Sequence, residues 1–455
     1  MDSKEQRRFN ILTKPIFPLL IKMSIPTIIG MLISVIYNVT DTFFVGQLHN
    51  RSMIAAIGVV FSFVSVIQAI GFWYGYGSGN VMSKKIGAKD YAEAEIFSSI
   101  GIVIAIVTGI VIAIAAYIFV VPLAKLIGGS ASQDVLTFTV QYLKIIIISI
   151  PFSLYAVTVY NQLRLCGNVR DGMIGLLSGM LSNMVLDPLL MFPLKMGFIG
   201  AGYATLIGQI IGCIVLTLLA KRHESISFNL KKVQYSKARM YHILAGGMPN
   251  FSRQAITSAA LVLLNVKAAQ YGESMIAALT VSSRVAALAY MIMIGWGQGF
   301  QPICAMNYGA KQYSRVKKAF IITVSVGTVF LTSASIILFL FAENCIGVMS
   351  SDKEVIFAGI KILRMQCFSL PLLSFFAVSS MFMQNIGHYF SSLLISISRQ
   401  GFFYLPLLYI LPALYGKTGI YLLQPFSDVL SFLFAVVVVY RWYSSGAFSS
   451  ALNAG

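Results

Sequence analysis

The sequence predicts an all-α integral membrane protein with twelve transmembrane helices in two homologous six-helix lobes. Three observations predict it. Of 455 residues, 58% are hydrophobic and only 11% are charged, a composition far from that of soluble globular chains. Apolar runs near or above the roughly 20 residues that a bilayer-crossing helix needs recur along the whole chain. Short motifs of the first half also return in the second half, in the same order.

The apolar runs lie at 15–45, 52–82, 91–121, 134–161, 171–193 and 200–220, then at 240–268, 274–306, 313–342, 354–384, 391–412 and 418–442. Several are long enough to tilt or bend. Ser52-Met-Ile-Ala-Ala56 recurs as Ser274-Met-Ile-Ala-Ala278, Gly75-Tyr-Gly77 as Gly297-Gln-Gly299, and Gly87-Ala-Lys89 as Gly309-Ala-Lys311, all at an offset of 222 residues. Farther on, Pro151 matches Pro371 and Gly167 matches Gly387 at an offset of 220, and Gly197-x-x-Gly200 matches Gly416-x-x-Gly419 at 219. The reading is an N-lobe at 1–225, a linker at 226–240 and a C-lobe at 241–455. Six spans per lobe give both lobes the same orientation, an architecture of alternating-access transporters.

The formal net charge of +18 does not require nucleic acid, because the basic residues are sorted by side. Of 33 Lys and Arg, 21 fall in segments on the side of the two termini, five on the other side, and seven within or at the ends of spans. This is the positive-inside pattern, so both termini are expected in the cytoplasm and the chain in the plasma (inner) membrane, with the lipid bilayer as its partner. The first apolar stretch carries Lys22 and continues without a small-residue cleavage site, so no leader is expected to be removed. Five scattered cysteines without a CxxC pair suit neither a disulfide framework nor a zinc site.

Chemistry concentrates at Asn183-Met-Val-Leu-Asp187-Pro188, inside the apolar run 173–192. An ionised Asp at mid-membrane costs about 2.5–3.5 kcal/mol on the mildest scale, so such residues are functional hypotheses by default. Asn183 and Asp187 share a helix face at a spacing of four, and Pro188 has no N–H to offer the ladder, freeing a backbone carbonyl nearby. In the first span, Ser34, Asn38 and Asp41 share a face, flanked by Tyr37. Asp41, Asn38, Asn183, Asp187 and Thr205 can converge from three spans, as an oxygen set for Na⁺ or as a carboxylate pair that carries a proton. When the lobes are overlaid, Asn183 falls on Gly401, Asp187 on Leu405 and Thr205 on Gln424, so these acids belong to the N-lobe only.

Several of these stretches resemble motifs of the MATE (multidrug and toxic compound extrusion) family. Tyr37-Asn-Val-Thr-Asp41-Thr-Phe-Phe-Val-Gly46 is similar to its first-span signature, Gly87-Ala-Lys89-Asp90 to the motif after its second span, Asn183-x-x-x-Asp187-Pro188 to its fifth-span signature, and Gln424-Pro-Phe-Ser-Asp428 to a twelfth-span one. The similarity runs from about residue 10 to 443 and points to the bacterial DinF/MepA-like branch and to a MATE/MOP-type fold. The resemblance implies an antiporter that exports organic, often cationic, compounds on a gradient of H⁺ or Na⁺, and needs no cofactor beyond that coupling ion. It also implies a cation or proton site at Asp41, Asn183, Asp187 and Thr205, with Tyr142 as a fourth-span neighbour. A fourth-span Asn of that site would fall on Val157; only Tyr160 and Asn161 follow, a turn later. H⁺ is therefore preferred over Na⁺ as the driver.

Tyr37, Asn38, Tyr142, Asn161, Met291 and Arg284 are candidates for the substrate cavity, Met because its flexible thioether adapts to varied ligands. Arg284, deep in the eighth span, is either a barrier charge or half of a structural ion pair, and Asp428 either a C-lobe counter-charge or a packing residue. The chain is expected to act as a monomer and not as an enzyme, since it carries neither an acid cluster for diphosphate-bound Mg²⁺ nor an HExxH helix. The alternative is a flippase for a lipid or lipid-linked saccharide, which should line its cavity with cations for pyrophosphate rather than with carboxylates.

Overall fold

A computed structural model describes residues 3–222 and 233–444, and within that range not the side chains of Ser3, Asn38, Val39, Asp41 and Thr42. Part of the expected linker thus lies outside the described residues. The described residues form helices without a strand: α1 (Ser3–Thr13), α2 (Ile16–Gly46), α3 (Arg51–Gly87), α4 (Tyr91–Ile118), α5 (Val120–Leu126), α6 (Gln133–Leu165), α7 (Val169–Met191), α8 (Gly197–Arg222) and α9 (Lys237–Ala269). The second half adds α10 (Glu273–Gly309), α11 (Tyr313–Leu340), α12 (Ala342–Gly347), α13 (Lys353–Ser369), α14 (Leu372–Ile386), α15 (Tyr389–Ile397), α16 (Tyr404–Tyr415) and α17 (Lys417–Ser444). Ten helices or helix runs are long and apolar enough to cross a membrane, and α13–α14, bent by 55°, makes an eleventh. The remaining expected span, 240–268, lies in α9, whose 33 residues suffice to cross but include Arg253 and Lys267.

The sequence repeat is visible element by element. Helices α3 and α10 both run for 37 residues, and each ends in a Gly-Ala-Lys turn whose lysine takes a positive φ, 64° at Lys89 and 60° at Lys311. Gly167 and Gly387 (φ 83° and 98°) close α6 and α14, and Gly197 and Gly416 (φ 54° and 55°) occupy the same turn in each lobe. Left-handed backbone of this kind is where Gly is favoured, which is why these glycines recur. The lobes differ where the same proline acts differently. Pro151 sits inside an unbroken α6, whereas Pro371 stands at the 55° break between α13 and α14.

Contacts divide the chain into two compact units, residues 1–11 with 29–247 and residues 12–28 with 248–455. Two helices change unit midway. Helix α2 changes at Ile28–Ile29, just after Pro26, and α9 at Gly247–Met248, just before Pro249. The cause is close helix approach through the repeated glycines. In the first unit, a Cβ on Gly77 would overlap the Ile243 carbonyl, and Trp73 Nε1 donates to the Leu244 carbonyl at 2.8 Å. In the second, a Cβ on Gly299 would overlap Ser24, Ser24 Oγ donates to the Trp296 carbonyl at 3.0 Å and Thr27 Oγ1 to the Gly295 carbonyl at 2.7 Å. Gly77 and Gly299, the second glycines of the paired motifs, therefore mark the seats of the first halves of α9 and α2.

Candidate cation site and cavity of the N-terminal lobe

Helices α7 and α8 cross through glycines. A Cβ on Gly208 would lie 2.8 Å from the Gly179 carbonyl and 3.0 Å from Asn183 Cβ, and one on Gly179 would lie 2.8 Å from the Gly208 carbonyl. Small residues of this kind let two helix backbones meet inside a bilayer. The meeting sets Asn183 of α7 against Thr205 of α8, with Asn183 Nδ2 donating to Thr205 Oγ1 at 3.2 Å and Thr205 Oγ1 donating to the Ala201 carbonyl at 3.1 Å. Asn183 is 2% exposed, and its Oδ1 has no donor among the described residues. A buried carbonyl oxygen without a donor is costly unless a cation or a proton donor satisfies it.

Asp187 is fully buried one helical turn beyond Asn183, followed by Pro188 inside the same helix. Pro188 has no N–H for the carbonyl of Met184, so a backbone oxygen is released on this stretch. Carboxylate, amide and hydroxyl oxygens together are hard ligands that fit Na⁺, and the buried carboxylate equally fits a proton. The side chains of Asp41 and Asn38, expected to complete the set, lie outside the described residues.

Beside Asn183 and Thr205, residues of α2, α3, α6, α7 and α8 line a cavity of about 960 Å³, open mouth included. Asn183 and Thr205 form part of its wall, together with Tyr37, Tyr142, Met180, Gln68 and Gln209. Tyr142 is 4% exposed and held by the Phe198 ring at 5.1 Å. Mostly apolar and aromatic walls with a few convergent polar groups are the usual makeup of a small-molecule site.

Three candidates stand elsewhere. Asn161 is fully buried, its amide donating to the Val157 carbonyl at 2.8 Å and its Oδ1 accepting from Arg164 Nη2 at 3.1 Å. It is committed to its own helix, and Val157 takes the place on the cavity wall. The spacing rule explains this, because a residue four positions along α6 keeps the face but lies about 6 Å farther down the axis. Met291 lies on α10, in the second unit, and Arg284 is exposed on the same helix with no ion pair among the described residues. Gln68 and Gln209 were missed. For Gln209 a signal was available, since it stands one turn after Thr205 on the same face.

Fold and site together define a multi-pass membrane protein of two repeated helical lobes, with Asn183 and Asp187 buried and Thr205 half-buried in the first. The sequence matches the MatE family model over residues 26–189 and 249–410, one match in each lobe, and the chain belongs to that family. It is 28% identical over 438 residues to a multidrug export protein MepA of Staphylococcus haemolyticus (strain JCSC1435), covering 96% of both chains. It is 27% identical over 439 residues, again 96% of each chain, to a multidrug export protein MepA of Staphylococcus aureus (strain MSSA476). Among solved structures, an outward-facing multidrug resistance MATE family transporter of the MOP superfamily superposes with a TM-score of 0.88 at 22% identity over 98% of both chains.

Proposed function

We propose that this chain is a cation-coupled antiporter of the plasma membrane that exports small organic, often cationic, compounds by alternating access. The observation that carries the reading is the Asn183–Thr205 pair at the wall of a mostly apolar cavity, with the fully buried carboxyl of Asp187 one helical turn beyond Asn183. A cation bound at these three residues and a cationic compound in the cavity contend for the same negative charge, so each weakens the other, and this reciprocal coupling is what an exchanger needs. Multidrug export by relatives that match 96% of the chain supports the substrate class. H⁺ is the proposed driver, because the wall position that would supply another oxygen ligand is the apolar Val157. Both termini are proposed to face the cytoplasm on the strength of the Lys and Arg bias.

The test is a panel of cationic dyes and antibiotics on an efflux-deficient host. Expression of the chain should raise the tolerated concentration of several structurally unrelated compounds; an unchanged panel with the protein verified in the membrane would refute the export reading.

A further inference from the structure

The second lobe holds an acid too, but a different arrangement surrounds it. Between α15 and α16 the chain makes a π-helical turn, Ser398–Phe402, of the kind that often marks a functional position. From this turn Arg399 Nε meets Asp428 Oδ1 of α17 at 2.7 Å. Gln424 Nε2 donates to the same oxygen at 2.7 Å, and Ser369 Oγ of α13 donates to Asp428 Oδ2 at 2.8 Å. Asp428 is 2% exposed, and the Arg399 guanidinium lies 5.0 Å over the Tyr290 ring of α10. Gln400 Nε2 donates to Gln424 Oε1 at 3.4 Å.

The repeat aligns this cluster with the site of the first lobe. Gln424 is the counterpart of Thr205 at an offset of 219, and Gln400 adjoins Gly401, the counterpart of Asn183 at 218. The Gln400–Gln424 pair thus joins the corresponding helices one residue off the register of Asn183–Thr205, and at the same offset of 219 Asp428 falls on Gln209. We propose that Arg399 is a built-in counter-ion, a tethered cation standing where the first lobe takes an exchangeable one, and that it thereby keeps the second lobe indifferent to the coupling ion. The part about the exchangeable cation rests on the reading under Proposed function; the Arg399 part rests on the contacts above.

The proposal has a chemical consequence. With Arg399 removed, Asp428 becomes a buried charge without compensation and must take up a proton or a small cation of guanidinium type. The titratable side chains acting on the pair are Tyr290 from α10 and Tyr404 from α16, while Ser369 of α13 and Gln424 and Ser427 of α17 are neutral; none of these replaces the missing cation.

The experiment follows the melting temperature of the full-length purified protein in lipid nanodiscs for wild type, Arg399→Ala, Arg399→Lys and Arg399→Ala/Asp428→Asn, across pH and with millimolar ethylguanidinium. Expected are a lowered melting temperature for Arg399→Ala that falls further as pH rises, recovery with ethylguanidinium, partial recovery with Lys, and loss of both responses in the double variant. If Arg399→Ala does not fold but the double variant does, the uncompensated charge is the cause and the proposal stands. If neither folds, or Arg399→Ala keeps the wild-type pH profile and ignores ethylguanidinium, Arg399 is a packing residue and the proposal is wrong. None of these readouts involves Asp187, so export surviving in Asp187→Asn would refute the first-lobe reading and leave this one standing.

Discussion

Asn183 Nδ2 and Thr205 Oγ1 stand 3.2 Å apart across the α7–α8 crossing, and the bond leaves Asn183 Oδ1 directed to no donor among the described residues. The amide is held by one edge and offers the other. Thr205→Val removes the holding hydroxyl while keeping volume, and should weaken the response of transport to the coupling ion about tenfold, the lower end of what loss of a ligand-orienting partner costs. Thr205→Ser should retain the response. Initial export rates against driving-ion concentration check both.

The crossing itself is testable. Gly208→Ala places a methyl 2.8 Å from the Gly179 carbonyl and 3.0 Å from Asn183 Cβ, and overpacking of this kind costs about 1–3 kcal/mol. Gly58→Ala, where a Cβ meets nothing within 4 Å, should be neutral or stabilise by up to about 1 kcal/mol, since Ala is the better helix former. Thermal unfolding of the two variants in the same detergent should therefore shift in opposite directions or by very different amounts.

Arg239 of α9 grips Glu93 of α4 with two parallel bonds, Nε–Oε1 at 2.9 Å and Nη2–Oε2 at 3.0 Å. This fork fastens the first half of α9 to the first unit, where Trp73 also holds it. Both side chains are 22% exposed, so a double-mutant cycle should give a coupling of about 0.5–1 kcal/mol that shrinks with added salt.

Asp90 caps α4 through the Glu93 N–H at 3.3 Å and pairs with Lys85 at 3.0 Å. The Lys85 hydrogen bond holds its carboxyl below the ordinary aspartate value. A depressed acid stabilises the fold above its unfolded-state value, and that contribution is lost as pH falls through the folded one. Asp90→Asn keeps the cap but removes the charge, so its unfolding temperature should depend less on pH at the acid end than that of wild type.

Periodicity and repetition made the architecture legible, because a bilayer imposes helix length and a duplicated lobe imposes a constant offset. Asn183 and Asp187 were legible for the same reason, since a carboxylate in an apolar run has to be explained. Asn161 shows the limit: residue type and helix suggested a cavity residue, but its neighbour Arg164, three positions along, holds its oxygen. The Arg399–Asp428 pair was invisible too, because a π-helical turn changes which side chains of 398–402 share a face. The exchange of helix halves near Pro26 and Pro249 follows from glycine seats that the repeat displayed but did not assign.

The most direct test of the account uses proteoliposomes carrying wild type or Asp187→Asn at equal, verified insertion, with a fluorescent cationic dye such as ethidium and an imposed pH gradient in sodium-free buffer. The account predicts gradient-driven dye transport by wild type that collapses when the gradient is discharged, and none by Asp187→Asn. Gradient-driven transport by the Asp187→Asn protein at the wild-type rate would contradict the placement of the coupling site, and wild-type transport only when a Na⁺ gradient is supplied would contradict the proton as driver.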